Sequence, residues 1–526
     1  MQKAFKRLNK RNSKIEKIVL SFWLLLGSIT SIKIGSYVDA PTDVALSKLN
    51  FEMLLKIGNL DVSLIESSKP FVAVYGHSVA LIIFGPIWIL GKFFDSNFTL
   101  SDPIAMMFRN LLTFVIGFLG FVAFTKWVKM VLDPRMHKFA LLLPIVIPTW
   151  FGNTFFNSKD IPVATGFLAL LYVFAFYLDN NKSERHSLLF NPWIFVAIVC
   201  TVGTRPVTLF WVIPGFLVLF FAIRKKEMYL RAEVGFSFSI ALLYVILTNY
   251  YLLTDPLFWI ANLINVGREF PWTGAVLSWG NLYRSPEIPR TYLFEMLFAQ
   301  IPLGVFIILL FCFTIFFSKN RQFITKTPKS ILLAISILSI VSMQTLLLAP
   351  VLYDNARHLI FLWCYFAAFV YWLISLNYNR VNKNRIIRWS LLLSLLFSAI
   401  DQVSLYPYNY IYRNEVARQL PVGSFETDYW GLSGREMAEW VIRDSELDAN
   451  PKAKFSYIFQ QSYQPYVTNS HLNLVSINDR TAKYYSQIWR PGLLPDYSAQ
   501  CPIAYSVERS FLLGKKEVLG YVRKCE

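Results

Sequence analysis

The chain has 526 residues, of which 55% are hydrophobic, 17% aromatic and only 16% charged, with a mean hydropathy of +0.43. Soluble domains carry about a quarter charged residues, so one large soluble core is excluded and a membrane protein is indicated. The formal net charge of +18 would point to nucleic acid if spread over a soluble surface, but Lys and Arg sit largely in short loops between apolar runs, the pattern of the positive-inside rule.

In chain order, residues 1–16 carry Lys3, Lys6, Arg7, Lys10, Arg11 and Lys14 ahead of an apolar stretch without a small-residue cleavage site. They read as a cytoplasmic basic N-terminus leading into a signal anchor. Apolar stretches fit for a hydrocarbon core of about 30 Å lie near 17–38, 104–126, 139–153, 161–178, 191–204, 206–222, 233–254, 293–317, 330–350, 357–377 and 387–405. The basic loops 126–138, 223–233, 318–329 and 377–388 should all be cytoplasmic. Parity then puts 39–103 outside as the first external loop, with the apolar stretch 71–94 lying in or dipping into the outer interface, and makes 255–292 a long external loop.

The expectation is an α-helical polytopic membrane domain over 17–405 with about eleven transmembrane helices, or about thirteen with the same end topology. Residues 406–526 are more polar and contain the strand-like runs FSYIF, LNLVSI and VLGYV, which predict a small external mixed α/β domain. Cys501 and Cys525 flank IAYSVER and VLGYVRKC. An antiparallel hairpin would bring them to disulfide distance, and an external compartment would allow oxidation.

With this topology the ionisable residues inside or beside apolar segments collect on the external side. Asp39 and Asp43 follow the first crossing, His77 sits in YGHS, and Arg109 lies just inside the next crossing. Lys159 and Asp160 stand side by side in FFNSKDIP, Arg205 lies in TRP, and Arg357 with His358 follows YDNA. Charges in membrane segments cost several kcal/mol and mark functional sites by default. Individually they have plainer readings: Lys159 can snorkel, Asp160 can cap the helix that Asp-Ile-Pro begins, Arg205 or Arg357 can anchor head groups, and His358 can be an interface histidine. Their joint placement on one side indicates chemistry on an anionic, lipid-borne substrate. Five cysteines without CxxC and five histidines without HExxH give no tetrahedral zinc signature, and the sequence has no P-loop, GxSxG or GxGxxG.

Several pieces in order, FFNSKDIP (155–162), PWTGAVLSWGNLYRSPEIPRTY (271–292), YDNARHLIF (353–361), YPYNYIYRNE (406–415) and FETDYWGLS (425–433), resemble the GT-C superfamily of integral-membrane glycosyltransferases. The likeness is to the bacterial branch related to protein O-mannosyltransferases and lipid A aminoarabinose transferases. Ser158 replaces a more usual proline and Tyr406 a common histidine. The resemblance implies an inverting glycosyltransferase, hexosyl or pentosyl, that uses a polyprenyl-phosphate-linked sugar at the external face of a bacterial inner membrane to glycosylate a lipid, glycan or protein acceptor. It implies a catalytic carboxylate in the first external loop. VDAPTDVALS lacks the family's adjacent acidic pair, so spacing to the turn GNLD (58–61) assigns Asp43, with Asp39 in reserve. It further implies that Arg205, Arg357, His358, Arg109, His77 and Lys159 bind the donor phosphate, and that Asp160 is the acid of the second external loop. A divalent metal between first- and second-loop acids, known in the oligosaccharyltransferase branch, is disfavoured, leaving no cofactor. Trp272, Trp279 and Tyr283 could stack on sugar or isoprenoid or serve as interface belt residues. The competing class, a flippase or exporter of lipid-linked sugars, would show inverted repeats and midplane charges, which are not seen.

Overall fold

The computed structural model describes residues 2–55, 69–95, 98–100, 102–180, 189–223, 227–268, 270, 272, 274–284, 287–318, 327–447, 451–455, 460–467, 470–476, 479, 481–489 and 501–525. Among the described residues seven helices are long and apolar enough to cross a membrane: Lys14–Lys33, Pro103–Val131, Asp160–Asp179, Met228–Leu247, Lys329–Leu348, Asp354–Leu376 and Arg385–Ser404. The pair Tyr292–Gln300 and Leu303–Ile315, bent by 107°, makes an eighth if taken as one crossing. The chain is thus a multi-pass membrane protein in its helices.

The expected eleven crossings are not met among the described residues. The stretch 139–153 is no single helix: a 3-10 helix, Pro134–Leu142, gives way to the short helices Leu143–Val146 and Pro148–Thr154. Pro144 and Pro148 deny the backbone the donors that one continuous helix needs. The stretch 191–204 holds a helix of only 10 residues, Pro192–Thr201, about 15 Å long. In 206–222 a 3-10 turn precedes the 14-residue helix Leu209–Ala222. The physical reason lies in the helix Asp160–Phe174, every residue of which is buried inside the protein. Hydropathy scores burial against protein and against lipid alike, so short core helices pass as crossings. The stretch 71–94 divides at Tyr75–His77 into Lys69–Val74 and Ser78–Phe94, the latter ending in exposed Phe93 and Phe94.

The core is organised around Asp160–Phe174, which packs against Pro103–Val131, Pro192–Thr201 and the helix Ile360–Leu376. Small residues permit the close approach: a Cβ on Gly120 would lie 2.9 Å from Thr165 Oγ1. At the other end of this core, Asp179 caps the helix Lys329–Leu348, accepting from the backbone N–H of Lys329 at 2.6 Å and of Ser330 at 3.0 Å.

Within the long loop, strands β1 (Ala275–Ser278) and β2 (Asn281–Arg284) form an antiparallel hairpin. Its two turn residues, Trp279 and Gly280, both have positive φ, 50° and 82°, as a two-residue hairpin turn requires. The C-terminal region holds a five-stranded mixed sheet in the order β4-β3-β5-β7-β6, made of β3 (Lys452–Phe455), β4 (Asn473–Leu474), β5 (Tyr484–Ile488), β6 (Ile503–Ser510) and β7 (Lys516–Lys524). The helix Gly434–Asp444 packs on β5, β6 and β7. The hairpin expected around Cys501 and Cys525 is β6–β7, and the two cysteines are disulfide-bonded with Cα atoms 5.0 Å apart.

The segment after the last long helix is clasped to it by buried charges. Arg418 pairs with Asp401 inside the helix Arg385–Ser404. Glu415 accepts from Leu303 N–H at 2.9 Å and from the Ser394 hydroxyl at 2.5 Å. Removing one partner of a buried pair leaves an uncompensated charge. Arg418→Met is therefore expected to destabilise the protein by about 3–5 kcal/mol, and the double variant with Asp401→Leu to recover most of that loss. Thermal unfolding of the purified protein measures both, and a double variant no more stable than the single one would show that the pair is not the clasp.

Candidate active site

The site is assembled by three short loops that precede helices. The first, Gly35–Asp39, carries Tyr37 and Asp39 and enters the helix Ala40–Leu55, whose first turn holds Asp43. The second, FFNSKDIP, turns sharply because the Asn157 side chain accepts from the backbone N–H of Lys159 at 3.2 Å and of Asp160 at 2.9 Å. Asn157, not Asp160, thus satisfies the exposed donors of the helix start, and the Asp160 carboxylate is free for other contacts. The third precedes Ile360–Leu376: Asp354, Asn355 and Ala356 all have positive φ, between 51° and 60°. Three consecutive left-handed non-glycine residues are costly, about 1–2 kcal/mol each. They are held by Tyr292 OH, which accepts from Asn355 N–H at 3.0 Å, and by Asn355 Nδ2, which donates to the Glu426 carbonyl at 3.2 Å. The strained turn delivers Arg357 into the site.

Four carboxylates and three cations alternate there. Lys159 Nζ pairs with Asp43 Oδ1. Tyr37 OH donates to Asp43 Oδ2 at 2.8 Å and lies 2.9 Å from Ser158 Oγ. Asp160, 0% exposed, accepts from Arg205 Nε at 3.0 Å and from Asn157 Nδ2 at 3.0 Å, with Arg357 Nη1 at 3.7 Å. Arg357 also reaches Asp39 Oδ2 at 3.1 Å and Asp354 Oδ2 at 3.1 Å. Its guanidinium lies 3.8 Å from the centroid of the Trp430 ring and 5.5 Å from that of Tyr353. His358 packs edge-on against Tyr353, ring centroids 4.4 Å apart.

The two first-loop carboxylates differ in character. Burial pushes the Asp43 carboxyl up from its ordinary value, against the pull of Lys159 and with help from neighbouring Asp39. Asp39 also feels burial, but Arg357 and Lys159 outweigh it and hold that carboxyl below its ordinary value. Asp39 is one-third exposed, at 33% of its side chain, and Asp43 only 6%. Asp43 is accordingly the stronger proton acceptor of the two.

Asp39, Asp43, Lys159, Asp160, Arg205, Arg357 and His358 all meet in this cluster. Arg109 joins it only through Tyr37: its guanidinium lies 4.8 Å from that ring's centroid and hydrogen-bonds Asn110. His77 donates or accepts at the Val72 carbonyl, 3.0 Å away, and burial lowers its pKa to about 4. It lines a cavity of about 30 Å³ with Asp43, Lys159, Tyr75, Ser158 and Thr204. The YGHS loop docks there because Gly76 has no side chain: a Cβ would lie 2.4 Å from the Gly203 carbonyl carbon. The GNLD turn, 58–61, lies outside the described residues.

Sequence reasoning missed Tyr37, Asp354, Tyr353 and Trp430. Asp354 could have been found, as a charge within the already quoted YDNA; aromatic residues are too common in this chain to give a signal. Trp272 stacks on Tyr353 with centroids 4.2 Å apart, and Trp279 contacts Phe298 and Phe425. Both thus pack within the protein. Among the described residues no three His, Cys, Asp or Glu side chains converge as a metal site.

No protein-family model matches the sequence, and no curated protein matches it. Among solved structures, the chain is similar to ArnT from Cupriavidus metallidurans bound to undecaprenyl phosphate, at 10% identity and a TM-score of 0.47 over 96% of this chain and 97% of that one. The apo state of the same protein gives a TM-score of 0.44 at 10% identity, covering 97% and 98%. The apo oligosaccharyltransferase of Archaeoglobus fulgidus gives 0.40 at 13% identity, covering 86% of this chain and 64% of that one.

Proposed function

We propose that this chain is an inverting glycosyltransferase of the GT-C type, taking its sugar from a polyprenyl-phosphate donor at the external face of a bacterial inner membrane. The observation that carries this reading is the presence in one cluster of a buried carboxylate of raised basicity, Asp43, held by Lys159, and of the guanidinium groups of Arg205 and Arg357, which both face Asp160. A base and a set of anion-stabilising donors are what displacement of a phosphate from an anomeric carbon requires.

In the proposed reaction the acceptor hydroxyl or amine attacks the anomeric carbon from the side opposite the phosphate. Its proton passes to the Asp43 carboxylate. The bond from the anomeric carbon to the phosphate oxygen breaks, and its electron pair stays on the phosphate. Tyr37 orients Asp43 through the 2.8 Å hydrogen bond, and Lys159 holds it from the other side. Arg357 Nε faces Asp354 Oδ2 at 3.1 Å and Nη1 faces Asp160 Oδ2 at 3.7 Å, so the guanidinium would turn from these carboxylates to donate to phosphate oxygens when the donor binds. The 30 Å³ cavity beside Asp43 has room for only about two or three waters at about 10–15 Å³ each. The sugar therefore approaches from the side on which Asp39 is exposed. No metal enters this scheme.

Incubating membranes that contain the protein with a panel of radiolabelled polyprenyl-phosphate sugars tests the proposal. Transfer of label from one of them supports it, and unconsumed donors throughout would sink it. Asp43→Asn is expected to be made in normal amount but to lose transfer by several orders of magnitude; if it stays active while Asp39→Asn is dead, the base is Asp39.

Because the base must be ionised, activity should fall as pH falls through the raised Asp43 pKa, above the ordinary carboxylate value of about 4. Asp39→Asn removes a like charge and should move that acid limb to lower pH. A pH–rate profile of both proteins checks the sign, and a limb unmoved or moved upward would contradict it.

Arg357→Ala and Arg205→Ala should weaken donor binding and slow turnover. Lys at either position should restore charge but not the forked contact. Direct donor-binding measurements decide the point, and unchanged affinity in both Ala variants would return these residues to a structural role.

A further inference from the structure

Remote from the cluster, the broken stretch 134–146 leaves a crevice where it faces the helices Leu303–Ser318, Ile360–Leu376 and Arg385–Ser404. Its volume is about 210 Å³, and Phe139, Leu142, Val305, Val370, Leu391 and Leu395 are among its lining residues. Apolar walls of this kind favour hydrocarbon over water, as an enclosed apolar cavity of about 150 Å³ does. The hydroxyl of Tyr371, which also lines it, is satisfied by the Phe139 carbonyl at 2.8 Å. The remaining polar groups, on Tyr378, Asn382 and Arg388, belong to one end, the basic segment 377–388. From Arg388 to Leu395 the lining runs along one helix, about 10 Å at 1.5 Å per residue.

That end is strongly cationic. Residues 377–388 contain Arg380, Lys383, Arg385 and Arg388 and no acid. Among the described residues Arg388 has no carboxylate partner; its recorded contact is with the neighbouring Trp389 ring, 5.8 Å away. Arg135, which stacks on Tyr378 at 4.4 Å, is already occupied, pairing with Asp133 at 2.7 Å. An apolar slot ending at an unpaired guanidinium is complementary to an amphiphile with a negative head and a hydrocarbon tail.

We propose that this crevice is a binding site for an anionic phospholipid, with one acyl chain filling the slot and the phosphate held by Arg388. The lipid supplies the packing that the proline-broken stretch 134–154 does not, joining it to the three helices. The site is independent of glycosyl transfer and stands whether or not that activity is found.

The test uses the full-length protein in detergent supplemented with dioleoylphosphatidylglycerol or dioleoylphosphatidylcholine, read by native mass spectrometry and by thermal unfolding. Phosphatidylglycerol should be retained at about one per chain and should raise the unfolding midpoint by several degrees more than phosphatidylcholine. Arg388→Gln, a partly exposed substitution compatible with folding, should cut that retention at least about fivefold and abolish the difference in midpoint, while Arg385→Gln, which is outside the lining, should change neither. Leu392→Trp, which fills the slot, should lose lipid while keeping the charge. Equal effects of the two lipids on the wild type would overturn the proposal. So would retention reduced equally by Arg385→Gln and Arg388→Gln, since that is general attraction to a basic surface.

Discussion

A carboxylate with no exposure to solvent cannot remain charged without cations beside it. Asp160 is such a group, and Arg205 and Arg357 both turn toward it from different parts of the chain. That requirement ties the loop before Asp160–Phe174 to the break at Arg205 and to the left-handed turn before Ile360–Leu376. Arg357 extends the chain of charges to Asp39 and Asp354, while the neighbouring Lys159 carries it to Asp43. The helices are held by apolar packing, but the relative placement of these loops follows from keeping buried charges in alternation.

The C-terminal region is part of the same arrangement. Trp430 lies under the Arg357 guanidinium, and its carbonyl accepts from Val38 N–H at 3.0 Å. The segment that bears Asp39 and Asp43 is thereby fixed against the wall that supports Arg357. Glu426 and Tyr292 sustain the left-handed turn from opposite sides. Strain stored at one short turn is offset by contacts from two regions distant in sequence, and the result is a guanidinium with a defined direction.

Much of the cluster was legible because charge in an apolar chain is expensive. Asp39, Asp43, Lys159, Asp160, Arg205, Arg357 and His358 stood out one by one against hydrophobic surroundings, and the structure brings them together. Tyr37, Tyr353 and Trp430 did not stand out, because their contribution is a face or a hydroxyl that becomes specific only by proximity. The Asp160 capping reading failed for a local reason: Asn157, three residues earlier, accepts from the first donors of the turn, and the Asp160 carboxylate faces Arg205 instead. Arg109 and His77 looked equivalent to the other charges in sequence, yet one leans on a tyrosine ring and the other on a backbone carbonyl. The count of about eleven crossings is not confirmed among the described residues, where Pro192–Thr201 and the pieces of 134–154 are shorter than a full crossing and largely buried against protein, a distinction that hydropathy does not make.

The sequence by itself determined the membrane class, the alternation of apolar segments with basic loops, the mixed C-terminal fold and the hairpin that joins Cys501 to Cys525. Each of these rests on periodicity, composition or a spacing of a few tens of residues, where neighbours in the chain are neighbours in space. Tertiary structure decided which apolar helices are buried in protein, which of two nearby aspartates keeps a raised pKa, and where each guanidinium points. Those properties depend on burial and on partners tens to hundreds of residues away, such as Trp430 for Arg357 and Arg357 for Asp39. Desolvation and Coulomb energy depend on distance in space, and no one-dimensional pattern encodes that distance.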